Sequence, residues 1–186
     1  MKQTNLTNHF LIAMPTLADG NFSHSVTYIC EHNENGSLGI TINRPSDIRL
    51  GEVLAQMKLS ATKPEIADQV VFIGGPVQQD RGFLLHSPNG QWDSSLKVTD
   101  DISVTTSRDI LEAMANDEGP EDVIMALGYA GWGAGQLEHE MSENAWLSCP
   151  ANKEILFHTP ANQRWEAAAK LLGIDLQLLS SDAGHA

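Results

Sequence analysis

SVTYICEHNENGSLGITIN, residues 25–43, is the stretch that decides the fold. Two β-rich runs, Ser25 to His32 and Ser37 to Asn43, flank Asn33-Glu34-Asn35-Gly36. Valine, isoleucine, threonine and tyrosine suit a pleated, half-buried surface. Asn35-Gly36 is the strongest short hairpin signal, because both central residues of a type I′ turn need positive φ. The stretch predicts two adjacent antiparallel strands, and Arg44-Pro45 ends the second.

Working outward, Phe10 to Met14 reads as a strand ended by Pro15. Leu50, Val53, Leu54 and Met57 fall on one face of a short helix, and Pro64 closes the polar segment after it. Val70 to Ile73 is a strand that runs into Gly74-Gly75-Pro76, and Gly82 to Ser87 is another. Thr106 to Ala115 is expected to be helical, capped by Thr106, with Ile110, Leu111 and Met114 as its apolar stripe. Asp122 to Leu127 is a buried-type strand. A glycine loop follows over 128–135, and helix resumes over 136–144. Trp146 to Cys149 and Glu154 to Phe157 read as short strands. A last helix starts after Thr159, with Pro160 in its first turn, and runs to Leu172 with Gly173 at the C′ position. Residues 180–186 read as a frayed tail. Early hairpins with mixed strand and helix later give an α+β fold, and the absence of any linker or repeat predicts one domain over 1–186.

A chain of 186 residues is long enough to bury a core of its own. Its 24 acidic residues against 11 basic ones give a net charge of −13. Such a surface repels phosphate backbones and anionic headgroups, so direct DNA binding is disfavoured. Cys30 and Cys149 have no CxxC spacing, which argues against a zinc site or a disulfide framework. The apolar run of 10–14 is too short for a secretory segment, and no run approaches a membrane span. The expected location is the cytoplasm.

GYAGWGAGQLEHEMSENAWL, residues 128–147, is the densest candidate for a site. Glycine leaves peptide N–H groups uncovered, so such a loop brings backbone close to a ligand or another chain. Known nucleotide patterns do not fit. Gly128 and Gly133 have P-loop spacing, but Ala134-Gly135 stand where lysine and a hydroxyl residue belong, and GxxGxGxG is not the dinucleotide fingerprint. Glu138 and Glu140 would also oppose a phosphate at the next helix. The first reading of the glycines is a sharp turn that lets Tyr129 and Trp132 pack; a ligand loop and a partner surface are the others. His139 to Glu143 resembles a zinc helix with its second histidine replaced by glutamate, and a surface pair is the preferred reading. His24, His32 and His86 could converge only through the tertiary fold. Cys30 reads as core, no nucleophile elbow occurs, and the four tryptophans read as packing residues.

Three blocks, residues 10–45, 70–87 (VVFIGGPVQQDRGFLLHS) and 128–147, together resemble the AlgH/YqgE family of bacterial proteins over nearly the whole chain. The resemblance implies an α+β fold, mostly antiparallel, with a bifurcated sheet curled into a pseudo-barrel and helices packed outside. It carries over no activity, no cofactor and no catalytic residue; one branch name points to control of alginate synthesis. His32, Asn43, Arg44, Gly74, Gly75, Pro76, Arg81, Gly131, Trp132, Gln136 and Glu138 match motif positions; these without Pro76, and with Gly133, form the candidate ligand or partner surface. Two functions follow. The preferred one is a non-enzymatic regulatory or interaction protein that meets a protein partner or a small ligand at the glycine-rich face, with no metal and no cofactor. The alternative is a hydrolase using His32, His86 and the carboxylates of 138–143, with or without a divalent metal, or a small-ligand protein using the glycine-rich loop and the nearby His and Glu residues.

Overall fold

The computed structural model describes residues 5–14, 24–88 and 90–173. The proposed tail at 180–186 lies outside them. In chain order the elements are β1 (His9–Ala13), β2 (Val26–Asn33), β3 (Gly36–Thr41), β4 (Pro45–Arg49), α1 (Leu50–Gln56), α2 (Pro64–Ala67), β5 (Val70–Ile73), β6 (Val77–His86), β7 (Ser95–Lys97), β8 (Ser103–Thr105), α3 (Arg108–Ala115), β9 (Val123–Gly133), α4 (Gln136–Ser142), β10 (Trp146–Pro150) and α5 (Arg164–Leu171). A π-turn, Glu154–His158, and a 3-10 turn, Ala161–Gln163, lead into α5.

The strands make one curled, forked sheet in which β9 is the spine. The main path runs β10-β1-β2-β3-β9-β6-β8-β7, and the pair β5-β4 branches from β9. All pairings are antiparallel except β5 with β9. The first half of β9 lies between β6 and β5, whereas its second half pairs with β3. The fork opens at Gly128, whose φ is +80°. Here two backbones touch: a Cβ on Gly75 would sit 2.1 Å from the Tyr129 carbonyl carbon, and one on Gly74 2.4 Å from the Gly128 oxygen. Thr41 N–H donates to the Gly74 carbonyl at 2.8 Å and Gly74 N–H to the Leu127 carbonyl at 2.7 Å, which stitches the branches together.

Two bulges set which face each side chain sees. In β2 the register slips between Ile29 and Glu31, so Cys30 is the extra residue. Before it, Ile29 packs in the cluster under α4; after it, His32 reaches α4 as well, three residues on, where strict alternation would turn it away. Gly128 does the same for β9. Ile124 and Ala126 face the main core, while beyond the bulge Tyr129 takes that side and Ala130 and Trp132 face α4.

Three apolar clusters follow from this alternation. The largest holds Phe10, Ile12, Tyr28, Ile40, Phe72, Phe83 and Leu85 on one sheet face, closed by α5 and the π-turn. On the other face, α1 and α3 pack over Leu84 and Met125, and α4 packs over Leu11, Ile29 and Trp132. Arg164 anchors α5. Its guanidinium is buried, donates to the carbonyls of Ile42 and Thr159, and lies 5.2 Å from the Phe72 ring centroid. Burial lowers its pKa to about 10, so it keeps its charge at neutral pH.

Several expectations need correction. The hairpin forms, but its central residues are Glu34-Asn35, one position earlier; Asn33 pairs with Gly36, and the Asn33 side chain accepts Asn35 N–H at 2.8 Å. Gly36 is needed because a Cβ there would lie 2.3 Å from the Trp132 carbonyl oxygen. The glycine loop is mostly strand: β9 continues to Gly133, because the β3 ladder satisfies its backbone. Glu154 to Phe157 is a π-turn instead of a strand. Asn152 captures the Ile155 and Leu156 N–H groups, and these adjacent apolar residues bury in one core, which alternation would forbid. The third helix starts at Arg108 with Ser107 at the N-cap, because Thr106 N–H is bonded to the Ser94 carbonyl. Pro64 opens α2, where it stands as the first helical residue, and does not merely close a polar segment. Strands β4, β7 and β8 had no sequence expectation; three to five residues give too short a pattern.

Candidate functional site

The candidate residues fall in three places. Around α4 they form one hydrogen-bonded network. Trp132 and Trp146 donate their indole N–H groups to Glu140 Oε1 at 3.2 and 2.9 Å, and Gln136 Nε2 donates to Oε2 at 3.0 Å. Gln136 Oε1 accepts Gly133 N–H at 3.0 Å. The two indoles meet edge to face at 6.1 Å. His32 is buried, and its Nδ1 accepts Leu6 N–H at 2.9 Å. That assigns the proton to Nε2, which donates to Glu138 Oε1 at 2.9 Å. Both ring nitrogens are therefore in use. Gly131 stands beside this network in β9, paired with Leu38.

The second place is the fork. Gly74 and Gly75 make the backbone crossing. Asn43 extends the hairpin ladder with its side chain, accepting Val26 N–H at 2.9 Å and donating to the His24 carbonyl at 3.0 Å. The Arg44 carbonyl accepts Ile73 N–H at 2.8 Å, and its side chain is half-buried.

Arg81 is the third, alone among the candidates. Between Val77 and Gly82 four residues of β6, Gln78 to Arg81, stand opposite the single residue Gly128. They leave the ladder as an exposed arch, with Gln78 at φ +49°. The arch forms one wall of a groove of about 550 Å³. α1 supplies Val53 and Gln56 and its C-cap Met57; α3 supplies Arg108 and Leu111; Leu84, Met125 and Leu127 make the floor, with Ile48 from β4 beside it. Thr106 and Ser107 complete the lining next to Arg81 and Arg108. Arg81 reaches the Thr106 hydroxyl at 3.5 Å and lies 5.5 Å from the Phe83 ring centroid.

No local motif marks this groove, since five separate elements, β4, α1, β6, α3 and β9, build it. One signal was available: α1 and its C-cap carry four apolar residues, of which Leu50 and Leu54 are buried while Val53 and Met57 pack half-buried at the same cluster and so also face the groove.

Other polar groups have their own arrangements. His139 pairs with Glu143 at 3.2 Å on the exposed side of α4, as a surface pair. His86 is buried; Nδ1 donates to the Ser87 carbonyl at 2.7 Å, and Nε2 accepts from the Thr105 hydroxyl at 2.7 Å. Burial holds its pKa below the usual imidazole value. Thr105 in turn meets the Ser95 hydroxyl at 2.7 Å. Both cysteines are buried as free thiols, and burial pushes Cys149 up to about 11. Among the described residues, no three of His, Cys, Asp and Glu gather as metal ligands would. No described helix is long and apolar enough to cross a membrane.

The comparisons agree with this geometry. A family profile described as AlgH-like matches residues 10–177. A UPF0301 protein of Thioalkalivibrio sulfidiphilus is 62% identical over 183 residues, 98% of each chain. One from Nitrosococcus oceani is 56% identical over 179 residues, 96% of each. The solution structure of the AlgH protein from Pseudomonas aeruginosa superimposes with a TM-score of 0.80 at 50% identity, covering 100% of both chains. A crystal structure of a Corynebacterium diphtheriae protein matches at TM-score 0.74 and 22% identity, over 96% of this chain and 93% of that one, and shares the fold. Its forked half-barrel and the sequence matches along almost its full length place this chain in the AlgH-like family.

Proposed function

We propose that this protein is a non-enzymatic cytoplasmic recognition protein, regulatory in its effect, whose working surface is the groove between α1, α3 and the Gln78–Arg81 arch. The contrast between two polar regions supports this reading. Around α4, the indoles, Gln136 and the carboxylates are committed to one another, and His32 has both nitrogens engaged. In the groove an apolar floor stands beside arginines and hydroxyls, the combination by which binding pockets hold and orient ligands. The glycine-rich strand then serves as scaffold, holding β6 and its arch in place. The charge of −13 opposes a nucleic-acid partner.

A fragment screen by amide NMR tests the proposal. Binding is expected to move amides of residues 53–57, 79–82 and 106–111, and Met57→Glu is expected to abolish it. Shifts confined to 128–140 and unaffected by Met57→Glu would move the working surface to the glycine-rich face.

One observation favours a second reading, hydrolysis at Ser95. Its exposed hydroxyl connects through Thr105 to the neutral imidazole of His86, a route by which a proton could leave an attacking oxygen. An ester panel is the check: activity abolished by Ser95→Ala and His86→Ala would establish it, and no turnover would remove it.

A further inference from the structure

We infer that the groove takes a small organic anion, a carboxylate carried on an apolar body; this inference rests on the groove being the working surface. Arg81 carries the argument. Among the described residues no carboxylate lies within 4.0 Å of it, although the chain holds 24 acidic residues and only 11 basic ones. Its contacts are one long hydrogen bond to Thr106 and the face of Phe83, so most of its donors remain open. Arg108 stands two residues along from Thr106 and pairs with Glu112 through Nε at 2.9 Å. The Arg81 guanidinium and the Thr106 hydroxyl thus meet in the lining, which Arg108 also joins, while the Ser107 hydroxyl donates to Asp109 at 2.6 Å. Asp80, the acidic member of that lining, makes no ion pair with either arginine.

Planar guanidinium matches a carboxylate with two parallel hydrogen bonds, and such charge-assisted bonds are about twice as strong as neutral ones. Beside Gln56 and Gln79, the lining offers an apolar surface: Ile48, 37% exposed, with Val53, Met57 and Leu127. An inorganic anion would leave that surface wet, and a neutral apolar molecule would leave the arginine unmatched. A volume of about 550 Å³ is within the range for small-molecule sites. The α3 N-terminus does not supply the anion site, because the Asp109 carboxylate already accepts the Asp93 and Ile110 N–H groups there.

The test uses the full chain and four probes: 4-phenylbutyrate, its primary amide, butyrate and inorganic phosphate, titrated by calorimetry with amide NMR to locate each. The acid is expected to bind about tenfold or more tighter than the amide and than butyrate. Arg81→Gln should erase the preference for acid over amide while the amide's affinity and the unfolding midpoint stay unchanged. Equal binding of acid and amide in the groove would overturn the inference and leave the groove reading standing. Phosphate binding as tightly as the acid would overturn it too. No groove shift with any probe would count against both readings.

Discussion

At Gly75 a single methyl group decides whether the fork can close. The neighbouring Tyr129 backbone cannot yield as a flexible side chain would, so Gly75→Ala is expected to cost about 3 kcal/mol or more. Gly135 is the contrast, with φ +76° and nothing within 4 Å of an added Cβ. Gly135→Ala should cost only about 1 kcal/mol, the price of a left-handed alanine. Urea unfolding of the two variants tests this, and equal losses would show that the crossing relaxes. Glu140 is the second single-residue case. Glu140→Ala removes an acceptor from two indoles and an amide, with an expected loss of about 2 to 3 kcal/mol and a red-shifted tryptophan emission. Glu140→Gln should recover part of it, and an unchanged spectrum would contradict the clamp. Glu140 was legible only as a charge at a helix start; its two indole partners come from separate strands, β9 and β10.

Among the elements, β9 shows how tertiary pairing overrides local preference. Four glycines in eight residues read as a loop, yet the β3 ladder over 130–133, with one β6 pair at Tyr129, gives this backbone its partners. The hairpin, α1, the third helix and the last helix with Gly173 beyond its end were legible, because their apolar spacing and turn residues act within a few positions. β7 and β8 were not, since three residues hold no period. The π-turn carries a pH dependence. His158 lies between Asp122, at 2.8 Å, and Glu154, at 3.0 Å, and these hydrogen bonds, Asp122 first, raise its pKa from the ordinary 6.5. A folded pKa above the unfolded one favours the protonated native state, so the contribution is full below pH 6.5 and fades as pH rises through the raised value. The midpoint gap between wild type and His158→Gln should be largest near pH 6 and shrink by pH 9, modestly, because the ring is half exposed. A gap that widens with pH would reverse the assignment.

For the whole molecule, net charge sets the response to salt. Surface pairs such as Lys63–Asp117 and Lys97–Asp100 contribute little each, whereas a charge of −13 repels itself across the entire surface. Raising NaCl from 20 to 300 mM shortens the Debye length to below about 10 Å, so the unfolding midpoint is expected to rise. A falling midpoint would mean that the local pairs outweigh the repulsion. By itself the sequence determined the α+β class, the first hairpin, the helices with clear caps or stripes, the acidic surface and the kinship of the three blocks, because these depend on composition and on residues a few places apart. Only the tertiary structure decided the fork at Gly128, the faces to which His32 and Trp132 turn, and the groove that gathers Arg81 with α1 and α3. Each of those depends on a one-residue shift in register or on the meeting of distant segments, and a linear pattern of period two cannot record either.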